Sequence, residues 1–105
     1  MVTKTLQKEE KILNFLGLIQ RAGKLITGFD AVKLGLIHRK IKVIFIASDL
    51  SENTKEKLSF LNRKQHVPIY DMLSSKQLSQ ALGKERKIVA VTDQGFSQAI
   101  IKKIE

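Results

Sequence analysis

No cysteine and no tryptophan occur among the 105 residues, and there is a single proline. Without cysteine there is no disulfide framework, no thiolate zinc site and no thiol nucleophile, a usage compatible with the cytoplasm. Aromatic residues make up only 6% of the chain, which leaves few platforms for stacking unpaired bases. Phe15, Phe45, Phe60 and Phe96 read as core or core-edge residues, whereas Phe29 stands beside Gly28 at a turn. No uncharged apolar run approaches the length of a membrane span. Lys4, Lys8, Glu9, Glu10 and Lys11 break any secretory h-region, so neither a leader nor a membrane partner is expected.

Signatures of catalysis are missing too. Gly17, Gly23, Gly28 and Gly35 make no GxGxxG, and there is no GxxxxGK[ST], GxSxG or SxxK pattern. His38 and His66 stand too far apart to read as a metal or catalytic pair. Asp49 and Asp93 each follow an apolar run and precede a helical pattern, so helix capping accounts for both. The chain reads as no enzyme, with no metal and no cofactor.

Carboxylates are also scarce: 10 Asp and Glu stand against 19 Lys and Arg, for a formal net charge of +9. A balance this basic favours phosphate backbones among polyanions, and RNA is the first expectation. The 43% apolar content is enough for one core, and the length is that of one domain, residues 1–105.

Hydrophobic period alternates along the chain between helix-like and strand-like. Ile12, Phe15, Leu16 and Ile19 repeat at helical spacing, predicting a helix from Lys8 to Ala22. A strand-like piece follows over Lys24–Thr27, then a helix over Gly28–Arg39 with Thr27 as its N-cap. Val43–Ala47 and Ile88–Thr92 lack alternation and read as adjacent central strands buried on both faces. Asp49 and Glu52 have capping-box spacing, opening a helix to about Gln65. Val67–Tyr70 reads as a short strand entered through Pro68. Ser74 and Gln77 form a second capping-box pattern, opening a helix that stops at Gly83. Asp93 caps the last helix, whose Phe96, Ile100, Ile101 and Ile104 face inward. The alternation implies a three-layer α/β/α sandwich around a small, mostly four-stranded mixed sheet.

Two basic stretches fall where such a chain turns around: RAGKLITG, Arg21 to Gly28, and GKERK, Gly83 to Lys87. Asp30 is the sole acid between Arg21 and Lys42, which include Lys24, Lys33, Arg39 and Lys40. The plain alternative is a solvated face, since Lys and Arg are mostly exposed in any protein. Against it, Gly28 opens a helix whose unpaired N–H groups and dipole favour an anion. The expected RNA surface comprises Arg21, Lys24, Gly28, Phe29, Asp30, Lys33, Gly83, Lys84, Arg86 and Lys87, continuous at one end of the sheet. The heads of Lys84, Arg86 and Lys87 are expected to be unrestrained in their turn.

The segment RAGKLITGFDAVKLGLIHRKIKVIFIASDLS resembles the core of the ribosomal protein L-seven-Ae/L-thirty-e family of kink-turn RNA binders. Lys24 and Gly28 precede a helix, and a strand ends in Ala47-Ser48-Asp49, as in that family. Pro68, Leu78, Ala81 and Gly83 match its strand, loop and helix end, and Val89, Ala90 and Val91 its last strand. The likeness spans about residues 10–105 and is of a bacterial, ribosomal-protein-like branch. It implies an α/β/α sandwich that clamps a sharply bent RNA internal loop with the start of the second helix and the loop before the last core strand. Where the family's RNA-reading helix begins Gly-x-Asn-Glu-x-x-Lys, this chain has Gly28, Asp30, Ala31 and Leu34. An ionised Asp30 only accepts hydrogen bonds, so it suits guanine amino and imino hydrogens rather than O6. The expected function is therefore docking on a bent or looped, kink-turn-like structured RNA, in association with the ribosome and as a monomer. The alternatives are an accessory RNA-holding subunit for a separate RNA-modifying enzyme, or a protein–protein adaptor.

Overall fold

The computed structural model describes residues 4–105, with side chains from Gln7 onward; the first three positions of the expected 1–105 unit lie outside the described residues. The described elements run α1 (Lys4–Arg21), β1 (Leu25–Thr27), α2 (Phe29–Ile37), β2 (Val43–Ala47), α3 (Glu52–Asn62), β3 (Ile69–Leu73), α4 (Ser75–Leu82), β4 (Ile88–Val91) and α5 (Gln94–Ile104). The four strands form one mixed sheet in the order β1-β4-β2-β3. β4 is antiparallel to both β1 and β2, and β2 is parallel to β3.

Central position explains the missing alternation in two of the strands. Every residue of β2 and of β4 is buried, because helices cover both faces of the sheet and no face is left for polar residues. One helical layer contains α1 with α4 and α5 each packed against it; in the other, α2 packs on β1, β4 and α3. Ile12, Leu16 and Ile19 of α1 and Ile100 of α5 reach the same core as Phe45 and Val89. The expected α/β/α sandwich with β2 and β4 adjacent is the observed fold.

Several local expectations are corrected. α1 extends back to Lys4 rather than starting at Lys8. The residue before α2 is Gly28, not Thr27, which is the last residue of β1 and pairs with Val89. α2 ends at Ile37, two residues before Arg39. There the N–H of Arg39 donates to the Leu36 carbonyl and that of Lys40 to Gly35, with Arg39 at φ 56, which closes the helix in a Schellman turn. The cap of α3 is Ser51, whose Oγ accepts from the Thr54 N–H at 3.3 Å. α3 stops at Asn62 rather than Gln65. The Asn62 amide bridges both backbone groups of Val67, donating to its carbonyl at 2.8 Å and accepting from its N–H at 2.9 Å. Val67 is thereby withheld from the sheet, and β3 begins at Ile69. Phe60 is not core: it is 62% exposed.

Other boundaries match their local chemistry. Ser74 and Gln77 form a reciprocal capping box, and Gly83 ends α4 in the left-handed conformation at φ 79. Asp93 caps α5 by accepting from the Phe96 N–H at 2.8 Å. Among the described residues no helix is long and apolar enough to cross a membrane.

Candidate nucleic-acid interface

Sheet register decides which loops meet. β1 and β4 are antiparallel, with Thr27 opposite Val89, so the end of β1 lies beside the start of β4. The next residue on each strand closes the junction: the Gly28 N–H donates to the Ile88 carbonyl at 2.9 Å. On the other side of β4, the Ala47 N–H donates to the Lys87 carbonyl at 2.8 Å, and the Ser48 N–H donates to Leu73 at 2.8 Å. The ends of β1, β2 and β3 and the start of β4 therefore share one end of the sheet. The segments that leave it, α2, the Ser48–Ser51 turn and α4, start from one rim.

Asp49 locks part of that rim. Its carboxylate accepts from the Ser75 N–H at 2.8 Å and the Ser75 hydroxyl at 2.6 Å. It therefore fastens the β2–α3 turn to the start of α4 rather than capping α3. The Ser75 hydroxyl, followed by the Ser75 amide, holds this carboxyl below its ordinary value of 3.8, with a smaller contribution from the charge of Lys87.

The start of α2 differs from the other helix starts around it. Ser51, Ser74 and Asp93 cap α3, α4 and α5 with side-chain oxygens, whereas Gly28 supplies no side-chain cap to α2. The first intrahelical bond runs from the Val32 N–H to the Gly28 carbonyl at 3.1 Å. Upstream of it, the N–H groups of Phe29, Asp30 and Ala31 have no carbonyl one turn back. They carry the positive end of the helix dipole, which suits an anion. Gly28 itself sits at φ 92 and ψ 154, a region almost closed to side-chain-bearing residues. A Cβ there would meet nothing within 4 Å, so the requirement for glycine is conformational and the space in front of the helix is open.

Beside that helix start is Ile88, where the loop from Gly83 to Lys87 ends. Lys84 and Lys87 are exposed, and among the described residues the sole ion pair is Lys55 with Glu52 at 3.6 Å. Arg86 differs from the expectation of an unrestrained head. It is half-buried, its N–H donates to Ser79 Oγ at 3.0 Å, and Nη1 donates to the Glu85 carbonyl at 3.0 Å. Its Nε is buried without a partner. The arginine shapes the loop against α4 and leaves the lysines as its exposed cations.

Phe29 and Lys33, one turn apart on α2, line a groove of about 520 Å³ whose other wall is α3, through Asn53, Glu56, Lys57, Phe60 and Leu61. The Arg63 guanidinium covers one face of Phe60, 3.8 Å from the ring centroid. Sequence reading missed Asn53, Lys57 and Phe60. Their spacing along one helix face was a usable signal, but an aromatic at position 60 looks like core until the burial of Leu58 assigns the inward face. Asp30, Ala31 and Leu34 lie on the outer face of α2, Leu34 at 57% exposure.

Arg21 and Lys24 are placed elsewhere. Leu25 pairs with Val91, and the Lys24 carbonyl accepts from the Thr92 N–H at 3.0 Å. Lys24 stands at the opposite end of β1, roughly 13 Å of strand from Gly28 at 3.3 Å per residue, and Arg21 ends α1 three residues before it. The structure thus sets Gly28 beside the Ile88 end of the Gly83–Lys87 loop and the start of α2 away from Lys24. The Gln20 side chain donates to the Leu82 carbonyl at 3.3 Å, so the Gly83 end of that loop lies by the end of α1, next to Arg21.

Comparison with known proteins adds to this geometry. A model of the ribosomal protein L7Ae/L30e/S12e/Gadd45 family matches residues 10–101. The chain is 38% identical over 96 residues to RNA-binding protein YlxQ of Enterococcus faecium, covering 91% of this chain and 93% of that protein. It is 35% identical over 91 residues to RNA-binding protein YlxQ of Bacillus subtilis strain 168, covering 86% and 91%. Among solved structures, a protein of unknown function from Bacillus halodurans superposes with a TM-score of 0.84 at 32% identity, over 90% of this chain and 96% of that one. A Giardia lamblia 15.5kD RNA binding protein superposes with a TM-score of 0.76 over 99% and 88%; at 14% identity the likeness is of fold.

Proposed function

The chain belongs to the ribosomal protein L7Ae/L30e/S12e/Gadd45 family, and we propose that it is a non-catalytic protein that binds a bent or looped, kink-turn-like structured RNA. In this reading it acts as a monomer in the cytoplasm, in association with ribosomal RNA. The observation that supports the reading is the bond from the Gly28 N–H to the Ile88 carbonyl, which sets the uncapped start of α2 beside the residue that follows the Gly83–Lys87 loop. Dipole, open amides and exposed lysines act on the same volume, and each favours a phosphate.

The chemistry divides by contact type. Phosphates meet the N–H groups of the first turn of α2 and the ammonium groups of Lys33, Lys84 and Lys87. These contacts position the RNA without reading its sequence. Asp30, exposed on the first turn, is the acceptor that discriminates among bases, because guanine alone presents adjacent amino and imino donors on its pairing edge. A bend in the RNA frees such edges, which a regular duplex uses up in Watson–Crick pairing. Arg86 acts indirectly by holding the loop.

An electrophoretic titration of a hairpin carrying one kink-turn internal loop tests the reading, beside a regular duplex of equal length. With about four to six phosphates neutralised, the slope of log affinity on log salt is expected at roughly −3 to −5. No retention of either RNA at low salt would give the adaptor reading precedence.

A further inference from the structure

The sequence pattern predicts Arg21 on the same surface as Gly28, yet Arg21 ends α1 before the far end of β1. Lys24, which follows α1, stands roughly 13 Å along β1 from Gly28, beyond the screening length of about 8 Å at physiological ionic strength, so the end of α1 and the start of α2 act on different parts of a bound polyanion. Arg21 instead lines a separate groove of about 380 Å³ on the outer helical layer, with Lys11, Asn14, Phe15, Leu18 and Lys103. Three cations, from α1 and α5, meet there, and no carboxylate is among the lining residues. Among the described residues, none of these cations has a carboxylate within ion-pair distance. Lys103 is also ordered: its ammonium lies 4.9 Å from the centroid of the Phe15 ring, and Phe15 is itself held edge-on by Phe96 at 5.8 Å.

We propose that this α1–α5 groove is a second, independent site for the sugar–phosphate backbone of RNA, so that one molecule holds two RNA segments. The inference rests on the RNA-binding reading above. Concavity favours a threaded backbone over scattered counterions, Asn14 offers an amide to a phosphate or a ribose hydroxyl, and Leu18 and Phe15 give the sugar an apolar wall. The groove reads no sequence, because it combines charge with an apolar surface and holds no fixed set of donors and acceptors for a base edge. Its role is to secure RNA that extends beyond the bent loop, or to bring a second helix alongside.

The test uses two probes, a short hairpin containing one kink-turn loop and the same hairpin extended by a long duplex arm. The double variant Arg21→Gln with Lys103→Gln is compared with the unaltered protein in both titrations. Binding of the short hairpin is expected to stay within about twofold, while affinity for the extended RNA falls roughly tenfold at low salt, as the loss of two phosphate contacts implies. Lys11→Gln, on an exposed position, is expected to give a smaller loss of the same kind and guards against misfolding of the double variant. In addition, two short hairpins labelled with donor and acceptor dyes should show energy transfer when bridged by the unaltered protein and lose it with the double variant. An unchanged affinity for the extended RNA would overturn the proposal. So would an equal loss on both probes, or retention of anionic vesicles rather than RNA by the groove. Failure of the principal reading is separate: there, Lys84→Ala with Lys87→Ala would leave the short hairpin unaffected.

Discussion

Three residues at the rim have distinct physical roles and distinct expected failures. Gly28, at φ 92 and ψ 154, tolerates no Cβ without strain, so Gly28→Ala is expected to cost about 1–3 kcal/mol of stability. Thermal melting measures that cost, and RNA affinity should fall with it because the first turn of α2 shifts. Asp30→Ala is expected to reduce the preference for a guanine-containing loop over its mismatch by about 1–3 kcal/mol while sparing non-specific binding. If the variant instead loses only the roughly 0.3–1 kcal/mol that an acid confers at a helix N-terminus, with RNA preference unchanged, Asp30 is structural. Asp49 makes a pH prediction. Its folded carboxyl is held below 3.8 by the Ser75 hydroxyl and amide, so the stability it adds is fully present above that value and is lost as pH falls through the depressed one. Compared with Asp49→Asn, the unaltered protein should therefore be more stable near neutrality, and the difference should close in acid. Chemical denaturation at a series of pH values reads this directly.

At the scale of elements, what local pattern could reveal depended on how far away each residue's partner lay. Ser74 and Gln77 satisfy each other within one turn, and Asp93 reaches only to Phe96, so both caps were legible. Asp49 with Glu52 has the same spacing, yet the partner of Asp49 is Ser75, 26 residues on, and Ser51 takes the local role. No short window distinguishes those outcomes. β3 was misplaced for a similar reason, since the Asn62 bridge to Val67 looks in sequence like ordinary strand entry. Asn62→Ala would leave both backbone groups of Val67 without their partner, at an expected cost of about 1–3 kcal/mol, seen as a lowered denaturation midpoint. β2 and β4 were clear because uninterrupted apolar runs of that length have few other uses. The candidate site was legible in its residue types and in the two loops. That Gly28 meets the Gly83–Lys87 loop while Lys24 does not depends on β1 pairing antiparallel with β4, a contact between distant segments.

For the molecule as a whole, charge and topology act together. The net charge of +9 attracts polyanions, and the antiparallel β1–β4 pair sets the uncapped start of α2 beside Ile88 and the exposed Lys87 at one end of the sheet. The most direct test of that claim is the salt dependence of binding to a kink-turn hairpin, compared between the unaltered protein and Lys84→Ala with Lys87→Ala. Each lysine on a phosphate contributes about 0.7–0.9 to the slope of log affinity against log salt. The double variant is therefore expected to lose about 1.4–1.8 from the slope, with affinity falling alike for matched and mismatched RNAs. An unchanged slope and affinity would mean that no phosphate rests on this loop, and would contradict the account.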